Sequence, residues 1–197
     1  MTKFILASAS PRRKELLGQI GVSIDQVSPA DIDETPLDRE SPRELALRLA
    51  IGKAKAAMEM DGFSKGDILL AADTVVGLGH RNLPKAEDEA TARRCLDMLS
   101  GRRHRVYGGL AIVGPDGKIH SRVVQTVVGF KKLSAKEIDA YIASGDWDGK
   151  AGGYAIQGLA AAYVKFISGS YSNVVGLPLY ETAQLLAGMG YKGLKSI

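Results

Sequence analysis

Residues 67–76 read DILLAADTVV, an apolar run that follows one carboxylate, Asp67, and contains a second, Asp73. Strands that are covered on both faces are apolar throughout, whereas half-exposed strands alternate between apolar and polar residues. The run therefore predicts a central strand. An unpaired carboxylate is unfavourable in such a strand. Asp73 either caps a nearby loop or acts as a base or metal ligand at the carboxyl end of the strand, and we favour the second interpretation.

Helical and extended patterns alternate around this strand, which is typical of an α/β fold with a mixed, twisted sheet flanked by helices. Ser41 with Glu44, and Ser134 with Glu137, form two capping boxes that predict helix starts. The extended runs at 105–114 and 118–131 are joined by a Pro-Asp-Gly turn and predict a long hairpin.

The remaining elements follow from the same periodicities. The predicted helices cover residues 11–20, 42–60, 88–99, 135–144 and 178–189. Besides the central run and the hairpin, strands are predicted at 3–7, 22–28 and 159–168. Loops are predicted around His80, Pro84 and Lys85 and at 169–178. We find no linker and no repeat, so a single domain is expected over residues 1–197.

The composition narrows the class of protein. The chain has a net charge of +4 and only 6% aromatic residues, and its basic residues are scattered, unlike those of a nucleic-acid binder. The densest basic cluster, GRRHR at 101–105, is interpreted as a solvated turn. The histidines are too far apart to suggest zinc, and the single Cys95 excludes an intrachain disulfide. We expect a soluble, cytoplasmic protein without nucleic-acid or membrane partners.

Residues 6–17, LASASPRRKELL, place cations where a helix should begin. Ser10 is suited to the N-cap and Pro11 to the first helical position, so Arg12 and Arg13 lie in the first turn. The helix dipole is positive at that end and disfavours cations by about 0.3–1 kcal/mol each. This penalty is small beside charge-assisted hydrogen bonds to phosphate, so the arrangement suits a polyanion. Alternatively, the side chains point into water.

Lys53 lies on the apolar face of the predicted helix 42–60. At about 100° per residue it falls between Leu49 and Ala57, whereas Arg48 and Lys55 fall on the opposite side. Its ammonium either extends to the rim of the core or points at a buried or ligand anion. The acidic loop ADIDETPLD, at 30–38, adds carboxylates, and carboxylates with few other ligands suit Mg²⁺.

Six segments together resemble the Maf proteins, and they follow in order from Lys3 to about Leu186. The segments are LASASPRRKELL (6–17), ADIDE (30–34), RLAIGKAKA (48–56), AADTVV (71–76), GGYAIQG (152–158) and GSYSNVVGLPLYETAQLL (169–186). The resemblance implies an elongated fold of the inosine triphosphate pyrophosphatase type, often homodimeric. It also implies metal-dependent hydrolysis of nucleoside triphosphates to monophosphate and pyrophosphate.

The resemblance also assigns roles to individual residues. It implies substrate binding by Ser8, Arg12, Arg13, Lys53, Thr74, Lys85 and Gln157. It implies a site role for Glu34 and the catalytic acidic role for Asp73. We predict that Glu34 and Asp73 hold a divalent metal, Mg²⁺ or Mn²⁺. A carboxylate bound directly to a metal is a poor base, so the ligand and base roles of Asp73 compete. The Ile-Gln-Gly pattern at Gln157 is similar to the branch that acts on dTTP and UTP, and an amide that donates and accepts suits the edge of uracil or thymine.

Two departures from the family pattern affect these expectations. Lys85 stands in LPKAED rather than after the usual glycine, and Gly149 stands where the family has an aspartate.

Two other classes of function also remain open. One is a regulatory interaction protein linked to septum formation, and the other is a nucleotide-binding module without turnover. Carboxylates and cations together favour an enzyme over both.

Overall fold

The computed structural model describes residues 2–195, and within them the chain forms nine strands and six α-helices. The strands are β1 (Phe4–Leu6), β2 (Gln26–Val27), β3 (Ile68–Leu78), β4 (Arg81–Leu83), β5 (Lys85–Ala86), β6 (Arg103–Val113), β7 (Ile119–Phe130), β8 (Lys150–Ala151) and β9 (Val164–Ser168). The helices are α1 (Pro11–Gln19), α2 (Pro42–Met58), α3 (Glu89–Leu99), α4 (Ala135–Ser144), α5 (Tyr171–Val175) and α6 (Leu179–Gly188), with a 3-10 helix at Leu159–Tyr163.

The central sheet is mixed, as the sequence predicts. Its strand order is β2-β1-β3-β6-β7-β9, and β4 pairs with β3. β1 runs parallel to β2 and β3, whereas β3, β6, β7 and β9 are successively antiparallel. β3 therefore lies where the sheet changes from parallel to antiparallel pairing, and residues 68–73 are all buried. This confirms the predicted central strand, covered on both faces. However, the strand continues to Leu78, so Asp73 lies in its middle and not at its carboxyl end as predicted.

Helices cover both faces of this sheet. α2 lies on one face, where its apolar residues pack with alternate residues of β1, β3 and β6. The other face packs against α1, α3, α4 and α6 in the larger apolar cluster. None of the helices between residues 2 and 195 has the length and apolar character needed to cross a membrane.

The predicted helix starts and hairpin are confirmed. Ser41 and Ser134 each accept a hydrogen bond from the backbone N–H of the Glu three residues later, and each Glu bonds back to the Ser N–H. β6 and β7 pair from Arg103–Gly129 to Val113–Ile119. Ser10 does occupy the N-cap position of α1 and Pro11 its first turn, but the Ser10 side chain makes no capping hydrogen bond.

Four local predictions are wrong, and each error reflects tertiary contacts. The strand at 22–28 shortens to β2, and the loop around His80 contains β4 and β5. The strand at 159–168 begins as a 3-10 helix, and the loop at 169–178 contains α5. Pairing with β3 and β8 creates β4 and β5. Buried Asn173 fixes α5, because its amide donates to Val106 O, Val124 O and Thr126 Oγ1.

The basic cluster at 101–105 is also not a simple solvated turn. Its last three residues begin β6, and His104 is buried at 1% exposure. Side chains alternate between the two faces of a strand, so Arg103 and Arg105 remain exposed while His104 points into the core.

Candidate functional site

A cavity of about 480 Å³ brings together all the residues that the resemblance singles out. Its lining includes Ser8, Arg12, Arg13, Glu34, Lys53, Asp73, Thr74, Lys85 and Gln157. These side chains come from the end of β1, the start of α1, the acidic loop, α2, β3, β5 and the loop after β8. The structure thus places residues from distant parts of the chain in one site, while their individual roles stay predictions.

Lys53 bridges two carboxylates at the centre of this cavity. Its Nζ lies 2.5 Å from Glu34 Oε1 and 2.5 Å from Asp73 Oδ1. The side chains of Lys53 and Asp73 are only 12% and 10% exposed. Of the two interpretations of Lys53, the structure therefore supports an ammonium that points at anions. Asp73 is paired, which resolves the unfavourable burial of its carboxylate.

Glu34 is held by two cations. Lys85 Nζ approaches Glu34 Oε2 at 3.6 Å, in addition to the Lys53 contact. Burial by itself would raise the pKa of Glu34, but the hydrogen bonds and charges of Lys53 and Lys85 outweigh it and lower the pKa below its usual value. Glu34 is therefore ionised at neutral pH.

Close packing of α2 on the sheet brings Lys53 to Asp73. In the register of β3 with β6, Asp73 pairs with Gly109 and Thr74 pairs with Gly108. A Cβ at Gly109 would overlap the carbonyl oxygen of Ala46 in α2. The helix backbone thus lies directly on the sheet beside Asp73, and Lys53, two turns after Ala46, reaches the carboxylate.

Arg13 connects the start of α1 to two other segments. It donates from Nη1 to Ser8 Oγ (2.8 Å), from Nη2 to Thr74 Oγ1 (3.3 Å) and from Nε to Gly176 O (3.0 Å). Burial lowers the pKa of this guanidinium, while the charges of Asp73 and Glu34 act in the opposite direction. The cation at this helix end is thus fixed by hydrogen bonds rather than pointing into water.

Arg12 differs from its neighbour. Among the hydrogen bonds and ion pairs found within residues 2–195, none uses the Arg12 guanidinium, although it is half-buried and lines the cavity. Burial lowers its pKa. A desolvated guanidinium without a protein partner, beside backbone N–H groups at the start of α1, is a suitable place for a phosphate.

Gln157 lies on a tight turn at the other side of the cavity. Gly158 N–H donates to Ala155 O (3.1 Å), so Ile156 and Gln157 form the tip of the turn. Ile156 is buried, whereas Gln157 is exposed and can meet a ligand.

Sequence reasoning missed three further residues with ionisable side chains that line the cavity. Asp148 and Lys150 flank Gly149, and Lys150 Nζ donates to Asp148 O (2.6 Å). The sequence shows glycine at position 149 where the family has an aspartate, but nothing in it indicates that the neighbouring Asp148 lines the same cavity. Tyr154 is the third, and only its place in the GGYAIQG segment pointed to it.

The donor set fits a hard divalent cation. Within residues 2–195 no cluster of three or more His, Cys, Asp and Glu side chains forms a closed metal site. However, Glu34 and Asp73 converge on one position, which the Lys53 ammonium occupies. Two carboxylates are enough for Mg²⁺, which usually retains waters and binds substrate phosphates as its other ligands.

Comparison with known proteins agrees with this geometry. The chain is 61% identical over 191 residues to the dTTP/UTP pyrophosphatase of Paramagnetospirillum magneticum, covering 97% of this chain and 99% of that protein. It is 57% identical to the dTTP/UTP pyrophosphatase of Caulobacter vibrioides, covering 95% and 96%. A HAM1 protein from Coxiella burnetii shares the fold, with a TM-score of 0.55 at 17% identity over 95% of this chain and 100% of that one.

The family assignment follows from the match to a family model. The model of the Maf-like protein family matches residues 3–189, which include every element from β1 to α6 and every side chain of the candidate site. The chain belongs to the Maf-like protein family.

Proposed function

We propose that this protein hydrolyses dTTP, UTP and modified pyrimidine nucleoside triphosphates to the monophosphate and pyrophosphate, removing unwanted nucleotides from the pool. Relatives at 57% and 61% identity carry the name dTTP/UTP pyrophosphatase. The observation that carries the proposal is the contact of Lys53 with both Glu34 and Asp73 beside Arg12 and Arg13. A site that only bound phosphate would need the cations but not the carboxylates.

Each residue then has a chemical task. Arg12 and Arg13, with Lys85 at the rim, bind the β and γ phosphates and neutralise the charge that develops on pyrophosphate as it leaves. The hydrogen bonds of Arg13 to Ser8, Thr74 and Gly176 hold its planar fork in place before substrate arrives. Because Asp73 contacts Lys53 through Oδ1, we assign Oδ2 to the attacking water. Gln157 recognises the edge of the base.

Glu34 and Asp73 would hold the metal. A bound Mg²⁺ or Mn²⁺ would supply Lewis-acid stabilisation of the phosphate oxygens. The cytoplasm as location, a homodimer as assembly and a single domain over the whole chain also remain proposals.

Product analysis tests the reaction. Purified full-length protein is incubated with Mg²⁺ and a panel of nucleoside triphosphates, and pyrophosphate and orthophosphate are measured separately. We expect pyrophosphate and monophosphate from dTTP and UTP, and no reaction with excess chelator. Orthophosphate with diphosphate would exclude cleavage between the α and β phosphates. Nucleotide binding without release would favour a binding module.

A further inference from the structure

His104 and Tyr154 form a buried polar pair directly behind the cavity. His104 is 1% exposed, and its Nε2 lies 2.7 Å from the Tyr154 hydroxyl. The two rings pack edge to face, and both contact Phe130 in the same geometry. Tyr154 also lines the cavity, so this pair links the core of β6 to the wall of the site.

The turn that carries Gln157 is anchored on both sides. Tyr154 immediately precedes it and is held by His104, and the next residue, Ala155, donates its N–H to the buried Tyr141 hydroxyl (3.0 Å). After the turn, Leu159 N–H donates to Asp146 Oδ2 (2.9 Å).

Glycines limit the freedom of the chain before the turn. Gly152 and Gly153 adopt φ of +67° and +68°, a conformation that other residues rarely take. A Cβ at Gly153 would also lie 3.2 Å from Cys95 Cβ. The chain therefore passes tightly over α3 and reaches Tyr154 in a defined direction, and the His104 contact together with the Tyr141 contact to Ala155 determines where the turn begins.

We propose that His104, acting through the Tyr154 hydroxyl, is a positioning residue that fixes the Gln157 turn and thereby sets selectivity for the base. This inference rests on the proposed function. An amide distinguishes thymine from cytosine only if its donor and acceptor are held in place, because the two bases present opposite donor and acceptor patterns at positions 3 and 4. A turn that shifts by a few tenths of an ångström would weaken that distinction.

One buried nitrogen of His104 makes the His104–Tyr154 pair energetically unfavourable, and this supports a role for the pair beyond packing. Within the described residues, His104 Nδ1 is buried without a hydrogen-bond partner. An apolar side chain would avoid this penalty, so stability alone does not explain a histidine here. Burial lowers the pKa of His104 to about 4, so the ring is neutral at physiological pH and can share one hydrogen bond with the tyrosine.

Removal of one hydroxyl tests the proposal, and the chain offers a matched control. Tyr154→Phe deletes the contact to His104. Tyr163→Phe deletes the hydroxyl of a tyrosine whose residue exposure is 5%, against 6% for Tyr154; this hydroxyl donates to Glu137 O (3.1 Å), and Tyr163 does not line the cavity. For Tyr154→Phe we expect KM for dTTP to rise about tenfold with little change in kcat, and the ratio of kcat/KM for dTTP over dCTP to fall by about the same factor. Tyr163→Phe should keep both values.

A second variant examines the route through His104. His104→Leu alone should lower the dTTP/dCTP ratio as far as Tyr154→Phe does, and adding it to Tyr154→Phe should change the ratio no further, because the contact is already absent. An unchanged dTTP/dCTP ratio in Tyr154→Phe, or an equal loss in Tyr163→Phe, would overturn the inference while the proposed function stands. Wild-type protein that releases no pyrophosphate from dTTP would overturn both.

Discussion

Asp73 is the residue on which the proposed chemistry depends most directly. Asp73→Asn preserves shape and keeps a hydrogen-bond acceptor for Lys53, but removes the charge that a metal and a water need. We expect kcat for dTTP to fall by about 10²–10⁴-fold, the range for loss of a general base or key electrostatic group. Steady-state pyrophosphate release measures the effect.

Asp139→Asn is the control for that substitution. It removes a carboxylate that pairs with Arg93 (2.6 Å) on the surface, outside the cavity lining. Turnover should stay at the wild-type level, since exposed ion pairs contribute about 0–1 kcal/mol to stability. Full activity in Asp73→Asn would contradict the assigned role.

Arg12 and Arg13 should respond differently to truncation. Arg12→Ala removes a side chain that makes no hydrogen bond or ion pair among those found within residues 2–195, so KM should rise with the melting temperature almost unchanged. Arg13→Ala breaks the hydrogen bonds to Ser8, Thr74 and Gly176, so it should lower stability by about 1–3 kcal/mol as well. Thermal unfolding beside steady-state kinetics separates the two effects, and identical unfolding curves would contradict the difference.

The sequence predicts residue types and directions better than contacts. The helical wheel places Lys53 on the inner face of α2, but periodicity cannot indicate whether its ammonium reaches solvent or a carboxylate 20 residues away. Arg12 and Arg13 are adjacent in the same motif, yet in the described part of the chain the Arg13 guanidinium makes three hydrogen bonds and the Arg12 guanidinium makes none. His104 had no sequence signal, because its burial depends on strand alternation that begins only at Arg103.

At the scale of elements, the start of α4 should make stability depend on pH. The Lys131 ammonium, 2.5 Å away, and the Ser134 backbone and hydroxyl lower the pKa of Glu137 to about 2 from an ordinary 4.5. A carboxylate with a depressed pKa stabilises the fold above its unfolded pKa and loses that contribution as pH falls through its folded pKa. Glu137→Gln should therefore lower the melting temperature near neutral pH, with a difference that shrinks below 4.5 and disappears near 2. A difference independent of pH would contradict this origin.

The contact between α2 and β6 should tolerate no added atom. Because a Cβ at Gly109 would overlap a backbone oxygen that cannot rotate away, Gly109→Ala should destabilise the protein by about 1–3 kcal/mol. It should also reduce turnover, since the displaced helix carries Lys53. Gly188→Ala in α6 meets nothing within 4 Å and should be neutral or stabilising. Chemical denaturation of both variants measures the difference.

Elements with local signals were predictable, and elements without them were not. Capping boxes and the Pro-Asp-Gly turn depend on neighbouring residues, so α2, α4 and the β6–β7 hairpin follow from the sequence. β4, β5 and α5 consist of two to five residues each, and pairing or the Asn173 amide defines them. The β5–β8 pairing and the Asn173 contacts join segments far apart in the chain, whereas β4 pairs with β3 across the short turn at 79–80; none of these contacts gives a periodic signal.

At the scale of the whole molecule, ligand should stabilise the fold. A site that joins β1, α1, α2, β3 and the Gln157 turn links most of the structure. A non-hydrolysable dTTP analogue at about 100 times its Kd should add about 2.7 kcal/mol, or a rise in melting temperature of about 5–10 °C. The shift should require Mg²⁺ and disappear with excess chelator. An equal shift without divalent metal would contradict the role of Glu34 and Asp73.

The fold class and the set of site residues were predictable from the sequence, but the distances between those residues were not. The alternation of helical and extended patterns around the apolar run at 67–76 indicated the mixed α/β class. The resemblance to the Maf proteins identified the site residues. The distances depend on how closely α2 approaches the sheet and how the loop after β8 returns to the cavity. The glycines that permit both are short local features whose partners lie elsewhere in the chain.

The Lys53 bridge has a consequence for the resting protein. The Lys53 ammonium is the counter-ion of both Glu34 and Asp73, so it offsets the repulsion between the two carboxylates when no nucleotide is present. An incoming divalent ion has to compete with a tethered ammonium whose local concentration never falls. Without nucleotide, the protein should therefore bind free Mg²⁺ only weakly. The triphosphate gives Lys53 an alternative anion, so the metal should bind together with the nucleotide.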